Sequence, residues 1–328
     1  MLGGVSLGAC TTRRNEGGEL TAGPLDSHPH TDRPTTSVDA SSSTTPATTA
    51  PPMFPAYQPL DGEVHADAKT VAARVAEELA TYGPASDPTT AIAAQRGVYG
   101  FDPAGFASAA EPLLVAGAWS RARVVYPQLG GLAPHHDPRQ CSVMVVLEQH
   151  LWTADSGSKV VSRCLDVRLR LEGGMWRLQG LADSSGGSVA RPADLSPAVV
   201  RVLDHPSLSL PDNVRWDIQE GLVADRLLHT LADLADQVPI AATTCRRGHP
   251  VNVFGTSSRS AHMAGRAIDL WSVGGPVVQQ RLDQRSVAHQ IGNDLHRSGL
   301  VANFGSPWSF GRASFTDPVH HDHFHLGF

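Results

Sequence analysis

Four apolar-rich segments in the middle of the chain read as strands, and the third of them alternates apolar and polar residues with period two. They are RARVVYP from Arg121, CSVMVVLEQHLW from Cys141, KVVSRCLDVRLRLE from Lys159 and MWRLQGL from Met175. In the third, Val167, Leu169 and Leu171 share one face and Arg168 and Arg170 the other, the pattern of an antiparallel strand buried on one side. Ahead of them, ADAKTVAARVAEELATYG sets Val71, Val75, Leu79 and Tyr82 at helical spacing, and Gly83-Pro84 stops the helix. A weaker helix is expected from Pro103 to Ala118. Further on, Leu222 to Ala235 carries an apolar stripe at Val223, Leu227, Leu231 and Leu234. A strand, VPIAATTC, then leads through the loop RRGHPVNVFGTSSRS to a second strand, AIDLW. A helix from Pro276 to Ser298, a loop at Gly305-Ser306-Pro307-Trp308 and a last strand, HFHLGF, complete the pattern.

Helices followed by a long meander, then a second mixture of helices and strands, predict an α+β chain. With 328 residues there is room for two ordinary domains. The first, 61–185, has a layout like a cystatin-like or nuclear-transport-factor-like cone and carries no catalytic constellation, so it is expected to be an accessory domain. Residues 186–195 are the expected linker, and 196–328 the second domain, helices on a small antiparallel sheet. Residues 11–60 are Thr/Ser/Pro-rich, as in SVDASSSTTPATTAPP, and bury too little apolar surface to offset ordering entropy. They are expected to form a disordered tether.

Net charge −6 with 18% charged residues gives no nucleic-acid footprint. No run reaches the roughly 20 apolar residues of a membrane span. Residues 1–10 are read as a partial signal, because Leu7-Gly8-Ala9-Cys10 resembles the lipobox of bacterial lipoproteins while the stretch before it is short and lacks basic residues. Lipidation at Cys10 is the one membrane attachment expected, and with it an exported protein of the cell envelope. Residues 141–152 and 159–171 read as a hairpin that puts Cys141 opposite a residue near 171, so no bond between Cys141 and Cys164 is expected. Cys245 is read as a buried thiol.

Candidate chemistry gathers at two places. SRSAHMAGRAIDLW (Ser257 to Trp271) holds His262 and Asp269, and HHDHFHLGF (His320 to Phe328) holds His323 and His325. Along an extended strand both of those imidazoles project from one face. Two imidazoles and a carboxylate are the ligand set of a catalytic zinc with an open fourth position. Ala264, Gly265 and Ala267 are small enough to let backbone and substrate approach.

These motifs resemble those of the zinc D,D-peptidases of peptidoglycan, which include the D-Ala-D-Ala carboxypeptidases and are related to lysostaphin-type enzymes and the hedgehog domain. Ser260, His262, Gly265, Ala267 and Asp269 match the group's Ser-x-His-x-x-Gly-x-Ala-x-Asp, and His323 and His325 match its His-x-His. The resemblance covers 196–328. It implies one zinc ion per chain held by His262, Asp269 and His325, with His323 and His320 beside the open position. The dipeptidase branch has a Glu as general base three residues before the last ligand; here Asp322 stands there, and alternation turns it away from His323 and His325. His323 is therefore favoured as the acid/base or transition-state partner and Asp322 as an orienting group, with the proton acceptor left open. Ser260 is expected to fix the motif's turn. Arg246 or Arg247 is a candidate to hold a substrate carboxylate or developing oxyanion, against a solvated loop. Trp271 and Trp308 are read as either cleft walls or core. The implied activity is hydrolysis of peptidoglycan stem peptides, as carboxypeptidase, endopeptidase or amidase. The alternative is a non-catalytic, zinc-stabilised wall-binding lipoprotein.

Overall fold

The computed structural model describes residues 50–96, 102–133, 139–154 and 157–328, and within them the chain is mixed α+β with seven helices and two sheets. The expected lipobox and the expected tether up to residue 49 lie outside the described residues. Residues 50–60, expected as the end of that tether, are held by their neighbours: the Tyr57 N–H donates to Glu77 at 2.7 Å, and Arg121 Nε donates to the Pro51 carbonyl at 2.9 Å. No helix among the described residues is long and apolar enough to cross a membrane.

Helix α1 (Ala66–Leu79) buries Ala68, Ala72, Val75, Ala76 and Leu79 along one face. Helix α2 (Pro88–Arg96) has Asp87 before it, which accepts the Thr90 N–H and the hydroxyls of Thr89 and Thr90. Helix α3 (Pro103–Ala110) is shorter than expected. At Glu111–Leu113 it tightens into a 3-10 turn, because Pro112 has no N–H to continue the helix. Strands β1 (Trp119–Leu132), β2 (Gln140–Thr153), β3 (Gly157–Glu172) and β4 (Met175–Asp183) form an antiparallel meander in that order, and α1 packs on it. Cys141 pairs with Leu169, and Cys164 with Val146. Strand β1 runs past the alternating segment, with irregularities at Val124/Tyr126 and Leu129/Gly131. In that overrun Leu129 still packs in the first core, while the Gln128 side chain and the Leu129 N–H reach Asp269 and Asp322 of the second half.

The second half begins with α4 (Pro197–Leu203), β5 (Leu208–Ser209) and α5 (Asp212–Gln219). Helix α6 (Asp225–Ala235) starts three residues later than expected and buries Leu227, Leu231 and Leu234 of the predicted stripe together with Leu228, while Val223 is buried ahead of the helix. Strands β6 (Ile240–Thr244) and β7 (Ala267–Val273), helix α7 (Val287–Ser298), and strands β8 (Asn303–Gly305), β9 (Ser314–Phe315) and β10 (Phe324–Gly327) complete it. The sheet order is β5-β6-β7-β10-β8-β9. Its centre is antiparallel, but β5/β6 and β8/β9 are parallel, so the sheet is larger and more mixed than expected. The predicted helix from Pro276 begins only at Val287. Asp283 takes the Arg285 and Ser286 N–H groups in a local turn, and Ser286 caps the helix at His289 N.

The described residues belong to one compact unit. Each half has its own apolar cluster, one around Val75, Leu129 and Leu165, the other around Leu231, Ile268 and Phe324. A smaller cluster sets Trp216 of α5 against Tyr82, Leu151 and Val161 of the first half.

Candidate metal centre

Strands β7 and β10 set Asp269 directly opposite His325, so their side chains share a face. His325 Nδ1 lies 3.0 Å from Asp269 Oδ1. His262 comes from the 3-10 turn Ala261–Ala264, where Ser260 Oγ accepts the His262 N–H as its cap, the role expected of that serine. Gly265 ends the turn at φ +65°, and a Cβ there would sit 1.8 Å from the Leu222 carbonyl oxygen. The motif's glycine is thus required by the chain entering α6, not by substrate approach; Ala264 is exposed. His262 Nε2 lies 3.1 Å from His325 Nδ1 and 3.3 Å from Asp269 Oδ1.

Three donor atoms spaced 3.0, 3.1 and 3.3 Å apart have the edge lengths of a coordination tetrahedron. Ligands bound tetrahedrally at about 2.0–2.1 Å stand roughly 3.3 Å from one another. His262 Nδ1 faces the Cys245 carbonyl at 2.6 Å, which fixes that nitrogen as the donor and leaves Nε2 its lone pair. His249 stacks flat on His262, with ring centroids 3.8 Å apart, and its Nδ1 faces the Pro250 carbonyl at 2.7 Å. The potential ligand atoms of His249, His262 and Asp269 lie within 4.8 Å of one another, so this cluster is able to hold a metal ion.

The protonation states suit that role. Burial pushes His325 down to about 4, and burial followed by the charge of His262 pushes His249 well below its ordinary value. Burial opposes ionisation of Asp269, but His262 and His323, by charge, and the imidazole hydrogen bonds outweigh it, holding the carboxyl well below its usual range. His249 and His325 held neutral and Asp269 held ionised are in the forms that bind a metal.

Next to these groups, His323 Nδ1 lies 2.7 Å from Asp322 Oδ1, and its Nε2 lies 3.9 Å from Asp269 Oδ2. Alternation fails to turn Asp322 away because β10 starts at Phe324 and Asp322 itself is not extended (φ −133°, ψ 10°). Its other oxygen meets Lys69 Nζ at 2.6 Å and accepts the Leu129 N–H at 2.9 Å. His320 Nδ1 is 2.9 Å from Asp317 Oδ1, and its ring centroid is 5.1 Å from that of His323. Gly305, opposite His325, makes room: a Cβ there would lie 2.5 Å from His320 Cδ2. His262, Asp269, His320, His323 and His325 all line a cavity of about 310 Å3, walled by Leu129 and Phe254. A second cavity of about 340 Å3 shares His249, Val253 and Phe254 with it.

Other expected site residues lie elsewhere. Arg247 is committed to Asp217 at 3.0 Å and Glu220 at 2.6 Å, and the Arg246 N–H goes to Asp217; neither arginine lines the cavity. Trp308 packs edge-on to Phe310 and Phe324 at the second core, and Trp271 stacks on Tyr126. The pattern reading missed His249, Gln128 and Lys69. A lysine and a glutamine at buried positions were the available signal, visible only once the strand and helix faces are drawn.

No family model, curated protein or solved structure matches the chain.

Proposed function

We propose that this chain is a zinc-dependent hydrolase of peptidoglycan stem peptides, a D,D-carboxypeptidase or endopeptidase, with His262, Asp269 and His325 as the metal ligands. The observation that carries the reading is the convergence of those three donor atoms beside the Asp322–His323 pair. Zinc, when bound, polarises a scissile carbonyl and lowers the pKa of water towards ~7. His323 accepts a proton at Nε2 and returns it to the leaving amine. Asp322 holds Nδ1–H and balances the imidazolium, while Lys69 keeps Asp322 ionised. His320, its Nδ1 held by Asp317, leaves Nε2 for the substrate. The substrate class places the protein outside the cytoplasm, in keeping with a lipid anchor at Cys10. An amidase acting on peptidoglycan shares these roles and differs only in its product ends.

The test is mass spectrometry of products released from purified sacculi by the zinc-loaded chain. Wild type is expected to release D-alanine or cleaved muropeptides. Asp269→Ala is expected to lose the metal, and His323→Ala to keep it while turnover falls by roughly 10²–10⁴-fold. A zinc-loaded wild type that leaves sacculi intact overturns the hydrolase in favour of a wall-binding module.

A further inference from the structure

We propose that Gln128, on a strand of the first sheet, is a positioning residue of the metal centre, so that the centre is built jointly by both halves of the chain. This rests on the ligand set proposed above. Gln128 is fully buried on β1, and both hydrogen-bond partners of its amide lie in the second sheet. Nε2 donates to Asp269 Oδ2 at 2.8 Å, and Oε1 accepts the hydroxyl of Thr243, itself fully buried on β6. Chemistry fixes the orientation. An ionised carboxylate only accepts, so the NH₂ group must face Asp269, and the carbonyl is left for the one hydroxyl beside it.

A buried amide inside a strand is costly unless it is hydrogen-bonded. Neither partner comes from the first sheet, so Gln128 is satisfied only when the halves are docked. Asp269 uses its two oxygens differently. Oδ1 stands at the tetrahedron edge with His262 and His325, and Oδ2 is tied back to Gln128. That tie holds the carboxylate plane and favours one oxygen for the ion. Partners of this kind are worth about 10–100-fold in metal affinity. Thr243, one strand from Asp269, anchors the amide at its other end. Gln128 therefore clamps β6 and β7 of the second sheet from a strand of the first.

The experiment is metal affinity by competition with a chromophoric chelator, together with the visible spectrum of the cobalt(II)-loaded full chain. Gln128→Met, similar in size but without the amide, is expected to bind zinc about 10–100-fold more weakly and to shift the cobalt bands, because the carboxylate is free to turn. Thr243→Val, which keeps the amide donor, is expected to lose affinity by a few-fold, and it carries the test if Gln128→Met does not fold. Neither readout depends on turnover. A lowered apo unfolding midpoint with unchanged zinc affinity and an unchanged cobalt spectrum would make Gln128 merely structural and overturn the inference. A wild type that takes up no metal removes the ligand set itself, a different failure.

Discussion

Lys69 has no exposed surface and sits between two carboxylates, Glu63 Oε1 at 2.8 Å and Asp322 Oδ2 at 2.6 Å, with the Tyr126 hydroxyl at 3.0 Å. Burial alone would raise the Asp322 carboxyl. The Lys69 charge and the His323 hydrogen bond outweigh it and hold the group at about 2. The sign follows from linkage: between ~3.9 and about 2 the unfolded chain binds the proton and the folded chain does not. Stability from this carboxylate is complete above ~pH 4 and is lost as pH falls through 2, on the order of 2 kcal/mol in all. Urea unfolding at several pH values should therefore show wild type losing about that much more than Asp322→Asn between ~pH 4.5 and ~pH 2. Parallel curves would mean the carboxylate is not held by its partners. In the sequence, Asp322 was legible as an orienting group, but not its orientation. Strand alternation holds only from Phe324, two residues after Asp322.

At the scale of elements, regular patterning carried far. The α1 stripe, all four meander strands, the α6 stripe and the strands bearing Asp269 and His325 were legible, because burial on one face enforces period 3.6 or 2. Short helices were not. Helices α2 and α4 span two turns or so and have no stripe; their signals were Asp87-Pro88 and Ser196-Pro197, a cap followed by a proline. The end of β1 was missed because Gln128-Leu129-Gly130-Gly131 breaks the alternation where the strand turns towards the second sheet. The turn bearing His262 gives the prediction for this scale. Gly265→Ala places a methyl on the Leu222 backbone oxygen at φ +65°. It should cost at least about 2 kcal/mol in denaturant unfolding of the apo chain. A loss below ~0.5 kcal/mol would show that the α6 entry yields easily.

For the whole molecule, each apolar core was legible by itself, and the seam between them was not. Part of that seam is aromatic and apolar, Trp216 against Tyr82, Leu151 and Val161, and Trp271 on Tyr126. The rest is separate polar contacts that belong to no repeating pattern: Gln128 to Asp269, Leu129 N–H and Lys69 to Asp322, the Ser162 N–H to Asp212 and the Gly248 N–H to Asp183. Parting the halves would strand two buried carboxylates of the second half, Asp269 and Asp322, without these donors. Groups left unpaired in this way cost about 1–3 kcal/mol each, more when charged. Limited proteolysis at 186–195 should therefore nick the chain without releasing either half, and the two pieces should co-elute on size exclusion. A C-terminal piece that elutes alone, folded and zinc-binding, would show the seam to be weak.

Strand β10 lies between β7 and β8 although it follows every other strand of that sheet in the chain. During synthesis, therefore, residues 208–315 can form two strips, β5-β6-β7 and β8-β9, but nothing joins them until residues 324–327 emerge. Before that moment both strips present open edges, the state most prone to pairing with other chains. The segment that closes the gap is also the one that delivers His325. Until residues 324–327 are made, the chain therefore has both exposed strand edges and an incomplete candidate metal centre.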